Sequence, residues 1–126
     1  MMDADAMVRD PHERLFCYRP GLSLQRRKKF RRGEIAVESS VDLHGLTEAE
    51  GRRELTRFLD RAVDGGQRCV MVVVGKGLRS PGRPVLRDMA AGLLSRRPEV
   101  LAFAPATVRD GGAGALYVLL RRSFRD

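Results

Sequence analysis

Six consecutive apolar or thiol residues, Cys69 to Val74, run directly into Gly75-Lys76-Gly77. No charged side chain interrupts them, so neither face of this segment suits water. The run predicts a central β-strand covered on both faces, which requires helices packed over a sheet. The glycines after it stop the strand and open a turn.

The flanking sequence supplies the other elements. "SVDLHG" (residues 40–45) alternates Val41 and Leu43 with Asp42 and His44 and stops at Gly45, a short strand. Thr47-Glu48-Ala49-Glu50 has the form of a capping box and opens a helix whose buried stripe is Leu55, Phe58, Leu59, Ala62 and Val63. Gly65-Gly66 ends it. Val85, Leu86, Met89, Ala90, Leu93 and Leu94 form a second amphipathic helix, closed before Pro98. "VLAFA" (100–104) and "ALYVLLRR" (115–122) are a third and a fourth strand. Their ten-residue link is too short for a parallel crossover, so the last strand is expected to return antiparallel. The expected fold class is therefore α/β, a two-layer β-α-β-α-β-β sandwich with a mixed four-stranded sheet. The expected organisation is an N-terminal extension over 1–36, partly ordered with one short helix around Leu24 to Arg32, and a domain over 37–126.

Charge narrows the class of partner. The chain carries 24 Lys+Arg against 16 Asp+Glu, and residues 19–32, "RPGLSLQRRKKFRR", hold seven basic residues and no acidic one. Such a field favours polyanions. An anionic membrane fits less well, because the run lacks a broad apolar face. No segment reaches the roughly 18–20 apolar residues that span a bilayer. Asp3, Asp5 and Asp10 near the start argue against a secretory signal. The two cysteines, Cys17 and Cys69, fit neither a disulfide framework nor a zinc cluster. Reduced thiols and a cytoplasmic location are expected.

In parallel α/β sheets, ligands gather beyond the carboxyl ends of the strands. Two polar tips fall there, Asp42-Leu43-His44-Gly45 and Gly75-Lys76-Gly77 with Arg79. The glycines allow close approach and a backbone anion nest, and Lys76 adds a mobile charge. The spacing is neither a Walker sequence nor a dinucleotide fingerprint. Asp42 and His44, two apart on a strand, share one face, so the carboxylate can fix the tautomer of a histidine acting as acid or base. One histidine and one carboxylate make a thin ligand set, so no metal and no cofactor are expected.

The motifs "VDLHGLTEAEGRRELTRFL", "RCVMVVVGKGLRS", "VLRDMAAGLL", "VLAFAPA" and "GGAGALYVLLRR", in that order over residues 41–122, resemble the small MutS-related (Smr) domain family. The preceding "RRKKFRRGEI" resembles the basic lead-in of its stand-alone bacterial members. The resemblance implies a compact fold like the C-terminal domain of translation initiation factor three. It also implies nucleic-acid binding and, in many members, endonuclease activity on DNA or RNA, including messenger RNA on stalled ribosomes. The family's Asp-Leu-His motif matches Asp42, Leu43 and His44. Its His-Gly-x-Gly motif matches Val74, Gly75, Lys76 and Gly77, with valine in place of histidine.

Valine neither moves a proton nor donates a hydrogen bond. The expected function is therefore nucleic-acid binding with weak, metal-independent cleavage of RNA or nicking of DNA, and the alternative is a non-catalytic RNA-, structured-DNA- or ribosome-binding module. Asp42, His44 and Lys76 are the catalytic candidates. Gly45, Gly75, Gly77, Arg79, Arg83 and Arg109 are candidates for holding nucleic acid. So are Arg26, Arg27, Lys28, Lys29, Arg31 and Arg32. The expected partners are RNA, DNA or the ribosome and not a membrane, and no protein partner is specified.

Overall fold

The computed structural model describes residues 6–76 and 85–122. Its strands are β1 (Val8–Arg9), β2 (Cys17–Tyr18), β3 (Ser39–Asp42), β4 (Cys69–Val73), β5 (Val100–Pro105) and β6 (Ala115–Leu120). Its helices are α1 (Leu24–Arg31), α2 (Glu48–Asp64) and α3 (Val85–Arg96). The strands form one mixed sheet in the order β1-β2-β5-β6-β4-β3.

The sheet follows from where polar residues are absent. β4 pairs with parallel β3 on one side and antiparallel β6 on the other. Val70 and Val72 are fully buried toward α2 and α3, while Cys69 is buried toward the opposite face, where Met71 and Val73 are half-buried. The most thoroughly covered strand is β6, all six of whose residues are buried. It inserts antiparallel between β4 and β5, as its short connection requires. α2 begins with the capping box: Glu50 N–H donates to Thr47 Oγ1 at 3.1 Å, and Thr47 N–H donates to Glu50 Oε1 at 2.9 Å.

The expectation of a two-layer, four-stranded sandwich like the C-terminal domain of translation initiation factor three is corrected. The sheet has six strands, because the N-terminal segment extends it antiparallel through β2 on β5 and β1 on β2. It is also covered on both faces. α2 and α3 close one side, and Phe16, Leu22 and Phe30 close the other over Ala102, Ala104, Tyr117 and Leu119. The reason the sequence hides this is physical. β1 and β2 are two residues each, too short to leave an alternating pattern. The visible trace is Phe16-Cys17-Tyr18, whose rings turn to the α1 side and whose thiol turns to the α2–α3 side.

Arg19 fixes this segment in place. Its Nε donates to the Val100 carbonyl at 3.0 Å and its Nη2 to the Arg97 and Ser95 carbonyls at 2.8 and 3.3 Å. The Ser95 and Arg97 carbonyls lie at the end of α3, where the helix leaves its acceptors without intrahelical donors and where positive charge is favoured, and the Val100 carbonyl opens β5. Both cysteines are free and buried, and burial pushes the Cys69 thiol up to about 11. No helix among the described residues is long and apolar enough to cross a membrane.

Candidate functional site

β3 ends at Asp42, and its parallel ladder continues one residue further, where Leu43 N–H donates to the Val73 carbonyl at 2.8 Å. Leu43 is fully buried and acts as the plug of the turn. Gly45, at φ +83°, then reverses the chain toward α2. Within this turn Asp42 Oδ1 accepts two hydrogen bonds from His44, one from its backbone N–H at 3.0 Å and one from Nδ1 at 2.7 Å. The first is the short-range bond by which aspartate commonly shapes a turn. The second joins two side chains that are largely exposed, 55% for Asp42 and 70% for His44.

The His44 ring hydrogen bond, with help from the His44 backbone N–H and ring charge, holds the Asp42 carboxyl below its ordinary value. An ionised carboxylate only accepts, so the contact assigns the proton to Nδ1. Nε2 is thereby left as the nitrogen able to take a proton from outside.

The second tip meets the first. Gly75 has φ +84°, and a Cβ built there would stand 3.3 Å from the His44 Cβ. A side chain at 75 would thus be strained by its backbone and pressed against the histidine. Val74 and Gly75 N–H groups both donate to the Gly114 carbonyl, at 2.9 and 3.0 Å. Gly114 itself lies against Lys76, where an added Cβ would be 3.2 Å from the Lys76 Cγ. The Gly75 N–H is therefore already committed within the fold, and an anion at this tip would draw on Lys76 instead. Gly77, Arg79 and Arg83 lie outside the described residues.

Val74 is only 5% exposed and belongs to the cluster beneath α2 and α3, together with Leu43. Asp42 pairs with Val73 and so points to the opposite face of the pleated sheet. Val74 is a core residue here and does not look out over the Asp42–His44 pair.

The remaining candidates sort into two places. Arg109 is exposed on a 3-10 turn, Val108–Asp110, in the loop that supplies Gly114. That loop is tied down by Tyr117, whose hydroxyl donates to the Asp110 carboxylate and accepts from Thr107 N–H. Arg26, Arg27, Lys28, Lys29, Arg31 and Arg32 sit on or just after α1, and four of them, Arg27, Lys28, Arg31 and Arg32, line a groove beside Tyr18 of β2. Among them Arg27 and Arg31 are half-buried and the other four exposed. Sequence reasoning missed Gly114, whose carbonyl shapes the Gly75 turn; its only sequence signal is the glycine-rich "DGGAG". No three histidine, cysteine, aspartate or glutamate side chains stand together as a metal cage among the described residues.

Comparison with known proteins places this geometry. Residues 41–121 match the Smr domain family. Two curated relatives are each described as ribosome rescue factor SmrB. That of Photobacterium profundum is 35% identical over 102 residues, 81% of this chain and 55% of the relative. That of Pectobacterium carotovorum subsp. carotovorum is 36% identical over 102 residues, 81% of this chain and 54% of the relative. The chain thus spans about half the length of the curated relatives it matches. Among solved structures, YdaL, a stand-alone small MutS-related protein from Escherichia coli, superposes with a TM-score of 0.75 at 28% identity, over 97% of this chain and 92% of YdaL. The Smr domain of Thermus thermophilus MutS2 gives a TM-score of 0.59 at 35% identity, over 66% of this chain and 98% of that domain. With the family match covering well over half of its residues and the strand-tip motif in place, the chain belongs to the Smr domain family.

Proposed function

We propose that this protein binds nucleic acid and cleaves RNA slowly at the Asp42–His44 tip. The observation that carries the reading is the 2.7 Å Asp42–His44 contact, exposed, with the His44 Cβ packed close to Gly75. With Nδ1 held by the carboxylate, Nε2 takes the proton of a 2′-hydroxyl. The 2′-oxygen attacks the adjacent phosphorus as the bond to the 5′-oxygen breaks. The products are a 2′,3′-cyclic phosphate and a 5′-hydroxyl, and the leaving oxygen takes its proton from water or from the imidazolium. Lys76 offers charge to the phosphate before and during this step. RNA is favoured over DNA because its nucleophile is internal, and intramolecularity offsets much of the entropic barrier.

The test is product analysis on end-labelled RNA and DNA, with and without chelator, for the wild type and His44→Ala. The expected result is chelator-resistant RNA cleavage that falls by roughly 10² to 10⁴ in the variant, the worth of a positioned acid–base group. Binding should stay nearly unchanged. Cleavage that is lost with chelator and indifferent to His44→Ala would place the chemistry elsewhere.

A second reading, a non-catalytic binding module, is favoured by Val74, which fills the core where the family motif has histidine. Under it the protein grips RNA, DNA or a ribosome and cuts none. The SmrB relatives are described as ribosome rescue factors, which makes the ribosome the large ligand to try. Co-sedimentation with ribosomes, read beside the cleavage assay, distinguishes a binder from a cutter.

A further inference from the structure

The basic run on α1 is not uniform. Arg27 is laid over the Tyr18 ring, with Cζ 4.3 Å from its centroid, and Arg31 over the Phe16 ring at 4.8 Å. The two rings are neighbours, 5.3 Å apart between centroids. Arg27 Nη1 also donates to the Leu22 carbonyl, which fixes the guanidinium on its ring. Arg31 Nε is buried and has no hydrogen-bond partner among the described residues. Two planar cations one helical turn apart, about 6 Å, are thus seated on aromatic rings. They line a groove of about 340 Å³ with Asp10, Leu24, Lys28 and Arg32.

A point charge is enough to meet a phosphate, and needs no aromatic bed. Guanidinium planes on rings present flat faces, on which unstacked nucleobases pack. Paired bases in a duplex cannot use them. Among the described residues the one acid lining the groove, Asp10, accepts the His12 and Glu13 N–H groups and repels phosphate. It suits the amino or imino edge of a base.

The groove and the strand-tip pair lie on one face of the sheet. Tyr18 and Phe30 pack into the cluster on that face, and Asp42 is in register with Val73, which packs against the same cluster. Four strand spacings separate β2 from β3, about 19 Å at 4.8 Å each. The register Cys17–Phe103–Val118–Val70–Ser39 leaves Asp42 three residues further along, about 10 Å. On a flat sheet the two places are about 22 Å apart. That span falls within the stretch of several nucleotides that single-strand platforms track.

We propose that the Tyr18–Arg27 and Phe16–Arg31 stacks form a clamp for single-stranded nucleic acid, holding bases several nucleotides away from the phosphate at Asp42–His44. The clamp rests on the nucleic-acid reading above, but it concerns stacking rather than charge, and this is what separates the two tests.

The experiment is fluorescence anisotropy with a labelled single-stranded 12-mer, as RNA and as DNA, and the duplex of the same sequence, over a salt series. The variants are Arg27→Lys/Arg31→Lys and, separately, Arg31→Lys alone; thermal melts check the fold. Because lysine keeps the charge and loses the plane, the double variant should bind single strands about 10-fold or more weaker. Its salt slope and duplex binding should be unchanged. Should the double variant unfold, Arg31→Lys, which breaks no hydrogen bond of the described residues, carries the test with a loss of several-fold. Wild-type affinity in both variants, or equal wild-type affinity for duplex and single strand, overturns the clamp while leaving nucleic-acid binding intact. No binding of any oligonucleotide by the wild type overturns the function proposed above. RNA and DNA arms that lose affinity alike assign the clamp to both; loss in one arm alone assigns it to that strand.

Discussion

At the scale of single residues, position 74 decides how the strand tip is to be understood. A valine replacing the motif histidine suggests an active centre with one member missing. Its burial with Leu43 beneath α2 and α3 gives it a different task, closing the core under the turn. Histidine introduced there would bring imidazole nitrogens into an apolar cluster, and leaving a buried polar group without a partner costs about 1–3 kcal/mol. Val74→His should therefore lower the melting temperature and leave RNA cleavage no faster than wild type. A faster variant of unchanged stability would mean that the side chain reaches the phosphate. The pair itself was legible from the sequence, although for another reason than strand alternation: β3 ends at Asp42, and the aspartate reaches His44 across the turn that follows, the short-range bonding by which aspartate shapes a turn. What could not be read was the fate of the Gly75 N–H, since its acceptor, the Gly114 carbonyl, lies 39 residues away in a loop without pattern.

Among the elements, those with a long periodic signal were legible, and those held by single side chains were not. The capped helix α2 and the apolar strand β4 each announce themselves over many residues. The segment carrying β1, β2 and α1 does not. Its order depends on Phe16, Leu22 and Phe30 finding a sheet face made by distant strands, and on Arg19 reaching the end of α3. Arg19→Met should cost roughly 2–4 kcal/mol, since charge-assisted hydrogen bonds are lost and buried carbonyls are left unpaired. The loss should be local first. Hydrogen exchange ought to accelerate at residues 17–31 before it does in β3, α2 and β4. Uniform acceleration across the sheet would instead show that the N-terminal segment and the core open as one unit.

For the whole molecule, the net charge of +8 matters less than its placement. Arg26, Lys28, Lys29 and Arg32 are exposed, while Arg27 and Arg31 are laid on rings. Simply deleting the N-terminal segment would confuse these roles, because Phe16, Leu22 and Phe30 would leave the core with it and uncover a face of the sheet. Neutralising only the exposed four, as Arg26→Gln/Lys28→Gln/Lys29→Gln/Arg32→Gln, keeps the packing and removes charge. Each of these side chains that meets a phosphate releases a counterion on binding, so the slope of log K against log salt should shrink by roughly 0.7–0.9 for every phosphate the variant no longer neutralises. Sequence preference should not change, since phosphate contacts position a strand without reading it. The lysine-for-arginine double variant of the clamp should do the reverse, weakening single-strand binding at constant slope. If the four-fold variant keeps the wild-type slope, the exposed charges are a solvated surface. The electrostatic grip would then come from other basic residues, with Lys76 and Arg109 the next to neutralise.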